Sequence, residues 1–159
     1  MPIELKIQAD YKQAQAAIAA ALRNVQNIRP VWREFANEYK EIIDANWGTR
    51  GKVMMRSGWP KLAASTLKYK RKKYPGKRIL ERTGELRDRA LTPKAVARNQ
   101  KLYLEWDLPT YWKYHQQPGA NGSKIPQRAF LWYENNTLPK QALRVLLDLL
   151  QRHMKKGVK

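Results

Sequence analysis

The sequence predicts an α+β fold, in which a small antiparallel sheet is packed with N-terminal helices and a C-terminal helix. Three observations carry this. Apolar residues recur at helical spacing in residues 11–27, 31–46 and 139–150. They alternate with polar residues in 3–9 and again in 102–106. The two patterns are mixed along the chain, without the regular succession of βαβ units that builds a parallel sheet. The 159 residues suit a single domain, 1–159.

Each element has its own signal. Ile3, Leu5 and Ile7 alternate with Glu4, Lys6 and Gln8, the pattern of a half-buried strand, and Asp10 stands where a helix N-cap belongs. Ala14, Ile18, Leu22 and Val25 then form an apolar stripe in an alanine-rich stretch, which predicts a helix over 11–27. Pro30 interrupts it and either opens a second helix or kinks one long helix. The second stripe is Trp32, Phe35, Tyr39, Ile42, Ile43 and Trp47, a helix over 31–46. Residues 48–58 hold three glycines and no period, so they read as a loop.

Pro60 is expected to open a third helix through Leu62, Thr66, Leu67 and Tyr69, ending before Pro75-Gly76. A turn at Thr83-Gly84, with Thr83 as N-cap, leads to a short helix. Residues 95–106 read as a hairpin with Leu102, Leu104 and Trp106 on one face and Tyr103 and Glu105 on the other. A short aromatic helix is expected from Pro109 to Gln116, then a loop over 117–126 and an apolar run, Phe130 to Tyr133. The last helix begins at Pro139, with Leu143, Leu146, Leu147 and Leu150 as its core face.

The charge is unusual. There are 32 basic and 13 acidic side chains, a formal net charge of +19. Residues 51–101 hold 16 of the basic groups and 3 of the acidic ones, so one third of the chain carries most of the field. No apolar run approaches the ~18 residues of a membrane span, and Met1 to Lys6 lacks the layout of a secretory signal. No membrane partner is expected.

Candidate chemistry is sparse. With no cysteine and two histidines, disulfides, thiolate nucleophiles and cysteine-based zinc sites are excluded. No phosphate-cradling loop or nucleophile elbow occurs. Glu81, Glu85 and Asp88 would share a helix face as metal-binding carboxylates might, or pair with Arg82, Arg87 and Arg89 as a solvated lattice. The second reading is preferred, so no metal, cofactor or catalytic residue is expected. His115 has no orienting carboxylate nearby in sequence. Its imidazole and the Gln116 amide are expected to hold the following loop by hydrogen bonds.

The run 68–78 sets Lys68, Lys70, Arg71, Lys72, Lys73, Lys77 and Arg78 among Tyr69 and Tyr74. Such interleaving suits single-stranded nucleic acid, because rings stack bases while cations take phosphates. It equally suits an acidic protein partner, or a solvated helix end. No motif with a defined groove geometry is present, so sequence-specific readout is not expected. Six tryptophans exceed what a core of this size needs, and about half are expected at subunit contacts.

An ordered series of residues carries a family resemblance. It runs Gly58-Trp59-Pro60 with Leu62, then Thr66-Leu67 with Lys70, then Ile79-Leu80 with Thr83-Gly84 and Leu86. It continues with Tyr114-His115-Gln116 and Gly119, and ends with Ile125-Pro126, Arg128 and Phe130-Leu131. Over residues 58–131 the chain resembles the virion morphogenesis (tail-completion) family of tailed phages and prophages, the group that includes the Mu-type morphogenesis protein. The resemblance implies a non-enzymatic structural protein of the virion, assembled in the host cytoplasm and acting late, at the head–tail junction. Its partners would be other neck, connector or tail proteins, and its own copies in a ring, a hexamer being one stoichiometry. Contact with packaged DNA would be non-specific.

The sequence departs from the family pattern at Arg128-Ala129-Phe130-Leu131, where the family has Arg-Pro-Phe-Leu, and at Arg87-Asp88-Arg89, where it often has a small residue. On this reading Arg128 and Phe130 join the basic run as interface contacts, and Trp59, Thr83, Gly84, His115, Gln116 and Gly119 are structural. The alternatives are a sequence-nonspecific nucleic-acid-binding protein using 68–78 and, less favoured, a nuclease using Glu81, Glu85 and Asp88.

Overall fold

The computed structural model describes residues 11–98, 100–117, 119, 122, 124–133 and 137–156. The strand expected over 3–9, the Asp10 cap, the hairpin position Asn99 and the loop positions 118, 120, 121 and 123 lie outside the described residues.

Among those residues six helices and a two-stranded antiparallel sheet follow in order: α1 (Tyr11–Gln26), α2 (Arg29–Gly48), α3 (Ala64–Lys73), α4 (Glu85–Ala90), β1 (Lys94–Ala97), β2 (Leu102–Glu105), α5 (Trp112–Gln116) and α6 (Lys140–Met154). The α+β class is as the periodicities predict. Pro30 is the second residue of α2, and the chain breaks at Asn27-Ile28, so α1 and α2 are separate helices. In the hairpin Lys94 pairs with Glu105 and Ala97 with Leu102. Leu102 and Leu104 turn inward while Tyr103 and Glu105 face solvent, as a period of two requires.

The organising element is α2. It buries Val31, Phe35, Ala36, Tyr39, Ile42, Ile43, Asn46 and Trp47 and packs against α6, β1 and α4. Its C-terminal end meets the loop 49–59, which places Met54, Met55 and Trp59 in the same cluster as Phe130 and Leu131. Trp47 lies edge-on to both Trp59, at 5.5 Å between centroids, and Phe130, at 5.2 Å, a favourable aromatic geometry.

Several expectations are corrected. The third helix starts at Ala64 instead of Pro60. The carbonyls of Pro60 and Lys61, which would accept the first intrahelical bonds, accept instead from the Arg128 guanidinium at 3.2 and 3.3 Å. Leu67 and Tyr69 on α3 are exposed, and the residue that α3 buries is Lys70. Gly84, in the left-handed region at φ +96°, caps α4 in place of Thr83. Only glycine takes that angle without strain, while Thr83 Oγ1 accepts a long bond from the Glu85 amide at 3.4 Å.

The leucine face expected of α6 is met in part: Leu146 and Leu150 pack half-buried against the core. Ala142, Leu149 and His153 are buried, whereas Leu143 and Leu147 face solvent. On α1 the stripe Ile18, Leu22 and Val25 is exposed as well. That helix is held at its C-terminal end by polar bonds. Asn24 donates to the Lys156 carbonyl at 2.8 Å, and His153 Nε2 lies 3.0 and 2.9 Å from the Asn24 and Asn27 carbonyls. None of the six tryptophans is exposed: Trp47 and Trp59 are buried, and Trp32, Trp106, Trp112 and Trp132 are half-buried. Trp106, Trp112 and Trp132 pack half-buried against the core cluster, so part of each of the four half-buried rings still reaches the surface of the single chain.

Candidate functional site

The residues singled out in the sequence divide between two neighbouring places. The first is a clamp around residues 128–131. Asn46, completely buried on α2, donates from Nδ2 to the Ala129 carbonyl at 3.1 Å and accepts the Met54 amide on Oδ1 at 3.0 Å. Trp59 Nε1 donates to the same Ala129 carbonyl at 2.7 Å. From α5, Gln116 Oε1 accepts the amides of Phe130 and Leu131 at 2.9 and 3.0 Å, and its Nε2 donates to the Trp132 carbonyl at 3.1 Å.

A buried segment outside helix and sheet has backbone groups that those elements would normally satisfy. Here side chains supply the partners. The turn that permits this needs Gly51, at φ +90°, where an added Cβ would sit 2.2 Å from the Trp59 ring. Phe130 is wholly buried in this clamp. It is a core residue and presents nothing to a partner, which corrects its assignment as an interface contact.

The second place is a socket beside the first, between α3, the segment 74–84 and α5. Lys68, Arg71, Lys72, Lys73, Lys77 and Arg78 stand exposed on its outer side. Lys70 does not: it is 9% exposed, and its ammonium donates to the Arg78 carbonyl, fixing the segment after α3. Burial lowers its pKa, partly offset by Glu81. Arg128 is 4% exposed, held by the two carbonyls of Pro60 and Lys61 and, through its own amide, by the His115 carbonyl at 2.6 Å. Burial lowers its pKa too. Lys70 and Arg128 are therefore corrected from surface contacts to buried cations.

Tyr69 and Tyr74 stand edge to face at 6.2 Å, and Arg82 lies over the Tyr74 ring at 5.8 Å. His115 sits beneath. Its Nδ1 is buried without a hydrogen-bond partner, so the imidazole makes none of the expected bonds from that nitrogen. Burial, and then the charge of Arg128, push its pKa down to about 4. At neutral pH it is an uncharged ring beside two buried cations.

Glu81, Glu85 and Asp88 do not assemble a metal centre. Glu85 pairs with Arg89 at 3.1 Å and Glu81 lies 4.0 Å from Arg87, which also holds Asp44 at 2.6 Å. Among the described residues no group of three metal-ligating side chains occurs. Gly119 has φ +69°, the left-handed angle expected of it. Sequence reasoning missed Asn46, whose spacing on α2 is that of a core position, and Tyr111, which lines the socket from the residue before α5. Comparison with protein-family models, curated proteins and solved structures finds no match.

Proposed function

We propose that this chain is a structural subunit of the neck or tail-completion type in a tailed phage, assembling as a ring at the head–tail junction. The observation that carries the reading is the ordered residue series over 58–131. Its far-apart pieces meet in one clamp, Trp59 from one end and Gln116 from the middle both binding the backbone of 129–132. A clamp of this kind stabilises a scaffold and leaves no group poised for chemistry.

Two unlike surfaces favour association. Ile18, Leu22 and Val25 on α1, and Leu143 and Leu147 on α6, are apolar and exposed, the kind of surface that marks protein–protein contact. The outer side of α3 is cationic. A ring closes through heterologous contacts and so needs two different patches on each subunit.

The test is deletion of the gene followed by electron microscopy of the lysate. Filled heads and free tails that fail to join are the expected result, and normal infectious particles would overturn the reading. Light scattering of the purified chain, alone and with its neighbouring neck proteins, should reveal a ring-sized assembly.

A second reading is favoured by the exposed side of 68–78. Its six exposed cations flank Tyr69, which is itself exposed, as in a sequence-tolerant nucleic-acid surface. Affinity for an oligonucleotide that falls steeply between low and moderate salt would support it.

A further inference from the structure

The socket is a built cavity of about 410 Å³, a size that holds a few side chains. Its walls are apolar or aromatic: Leu80, Leu86, Tyr69, Tyr74 and Tyr111 among them. Its charged lining is three cations, Lys70, Arg82 and Arg128, against the single carboxylate of Glu81. Among the described residues neither Lys70 nor Arg128 has a carboxylate within salt-bridge distance. Both side chains are largely covered and, among those residues, lack a paired carboxylate, so an anion entering the socket would meet cations with weak competition. Arg128 has five N–H donors, and its side chain spends only its Nε and Nη2 groups on the two backbone carbonyls. At the wall, Leu80 is held at φ +62°, an angle that bulky side chains rarely adopt.

We propose that this socket binds a carboxylate side chain, Glu or Asp, flanked by apolar residues in an extended segment of a partner protein. Recession decides between anions. Lys70 and Arg128 are 9% and 4% exposed in a socket they share with three tyrosines, which suits a carboxylate on a flexible stem better than the phosphodiester of a nucleic-acid backbone. The apolar walls add the burial of the flanking residues, and the guanidinium offers the charge-assisted donors a carboxylate accepts best. The neutral imidazole of His115 leaves room for one added negative charge without a competing ion pair. The inference rests on the socket alone and stands whether or not the chain builds a phage neck.

The experiment uses the purified full chain and two fluorescein-labelled peptides, Gly-Leu-Glu-Phe-Gly and its Gln counterpart, read by fluorescence polarisation at physiological salt. The Glu peptide is expected to bind about ten-fold more tightly, the scale of one charge-assisted hydrogen bond. Lys70→Met, which also loses the bond to the Arg78 carbonyl, should weaken the Glu peptide more than the Gln peptide. Arg82→Gln, at the exposed rim where folding is not at risk, should weaken the Glu peptide two- to five-fold, about the worth of a partly screened charge. With the Glu peptide bound, the NMR titration midpoint of His115 should move up, since a nearby anion favours the imidazolium. Equal binding of the two peptides, or no binding of either, overturns the proposal. So does displacement of the Glu peptide by oligodeoxythymidylate or by millimolar inorganic phosphate, which would make the socket a general anion site.

Discussion

His115 and Gln116 are neighbours on α5, yet they serve opposite kinds of interior. Gln116 is completely buried and uses three of its four hydrogen-bonding capacities on the backbone of 130–132. His115, one residue back, keeps a buried ring nitrogen without a partner and faces two buried cations. The side chains of Asn46, Trp59 and Gln116 thus form a bonded polar network inside an aromatic core, the arrangement that rigidifies and specifies a fold, although Trp47 Nε1 in that core has no partner among the described residues. The socket is a polar interior left incomplete. One short helix serves both because residues one apart on a helix point about 100° away from each other. The difference teaches where to look for stability and where to look for binding: substitutions of Gln116 should cost folding, and those of His115 should cost little folding or even add to it.

The largest effect is expected at Gly51. Alanine there meets the Trp59 ring at 2.2 Å and must hold φ +90°. Left-handed strain of about 1–2 kcal/mol adds to overpacking of about 1–3 kcal/mol, for a loss of about 2–5 kcal/mol by urea unfolding. A loss under about 1 kcal/mol would show that Trp59 is loosely held and that the clamp is no rigid unit.

Gln116→Leu should come next. It leaves the Phe130 and Leu131 amides and the Trp132 carbonyl without their partner in a dry interior, at about 3 kcal/mol in total. The matching change His115→Leu removes an orphaned nitrogen and should be neutral or stabilising. If the two losses come out equal, the contrast between the regions is wrong.

What the sequence disclosed follows the same physical division. Periodicity located α2 and the hairpin because Phe35, Tyr39, Ile43 and Trp47, like Leu102 and Leu104, really do face the core. It located α1 and α6 as well but overstated how much of their stripes is covered, because an apolar stripe shows which face would be buried and not whether anything covers it. Leu22 and Leu147 are nearly as exposed as neighbouring polar residues. Charge counting found the basic third but gave Lys70 the role of its exposed neighbours; burial of one lysine in a run depends on a distant segment folding over it, here through the Arg78 carbonyl. Arg128 and Phe130 are expected at an interface and lie buried instead. No local pattern says that Pro60 and Lys61 will turn their carbonyls to a guanidinium 67 or more residues away.

The pH dependence of stability tests the socket's share. The His115 pKa falls from 6.5 to about 4 on folding, so between those values the unfolded chain binds more protons than the folded one. Stability must then rise with pH across that window and be lost as pH falls through it. With solvent screening at this half-buried site the loss should be about 1–2 kcal/mol, and it should vanish in His115→Leu when the two proteins are compared from pH 7 to 4. An unchanged slope in the variant would show that the imidazole is solvated and that the socket is wetter than its geometry implies.

The smallest effect is expected at Arg50, beside Gly51 and also left-handed, at φ +55°. Its side chain is exposed, and its backbone carbonyl accepts the Trp59 amide at 2.7 Å, a bond that no side-chain substitution removes. Arg50→Gly therefore changes two things only. It relieves left-handed strain of about 1 kcal/mol or somewhat more, and it gives the unfolded chain freedom worth about 0.5–1 kcal/mol. The two nearly cancel, so the net change should stay within about 0.5 kcal/mol of zero. Set against Gly51→Ala, it separates two causes at adjacent positions with the same backbone hand: strain alone, which glycine can exchange for entropy, and collision with a fixed ring, which nothing offsets. A gain well above that range would mean that the turn is strained beyond its dihedral angle, and that the clamp holds Trp59 in place against that strain.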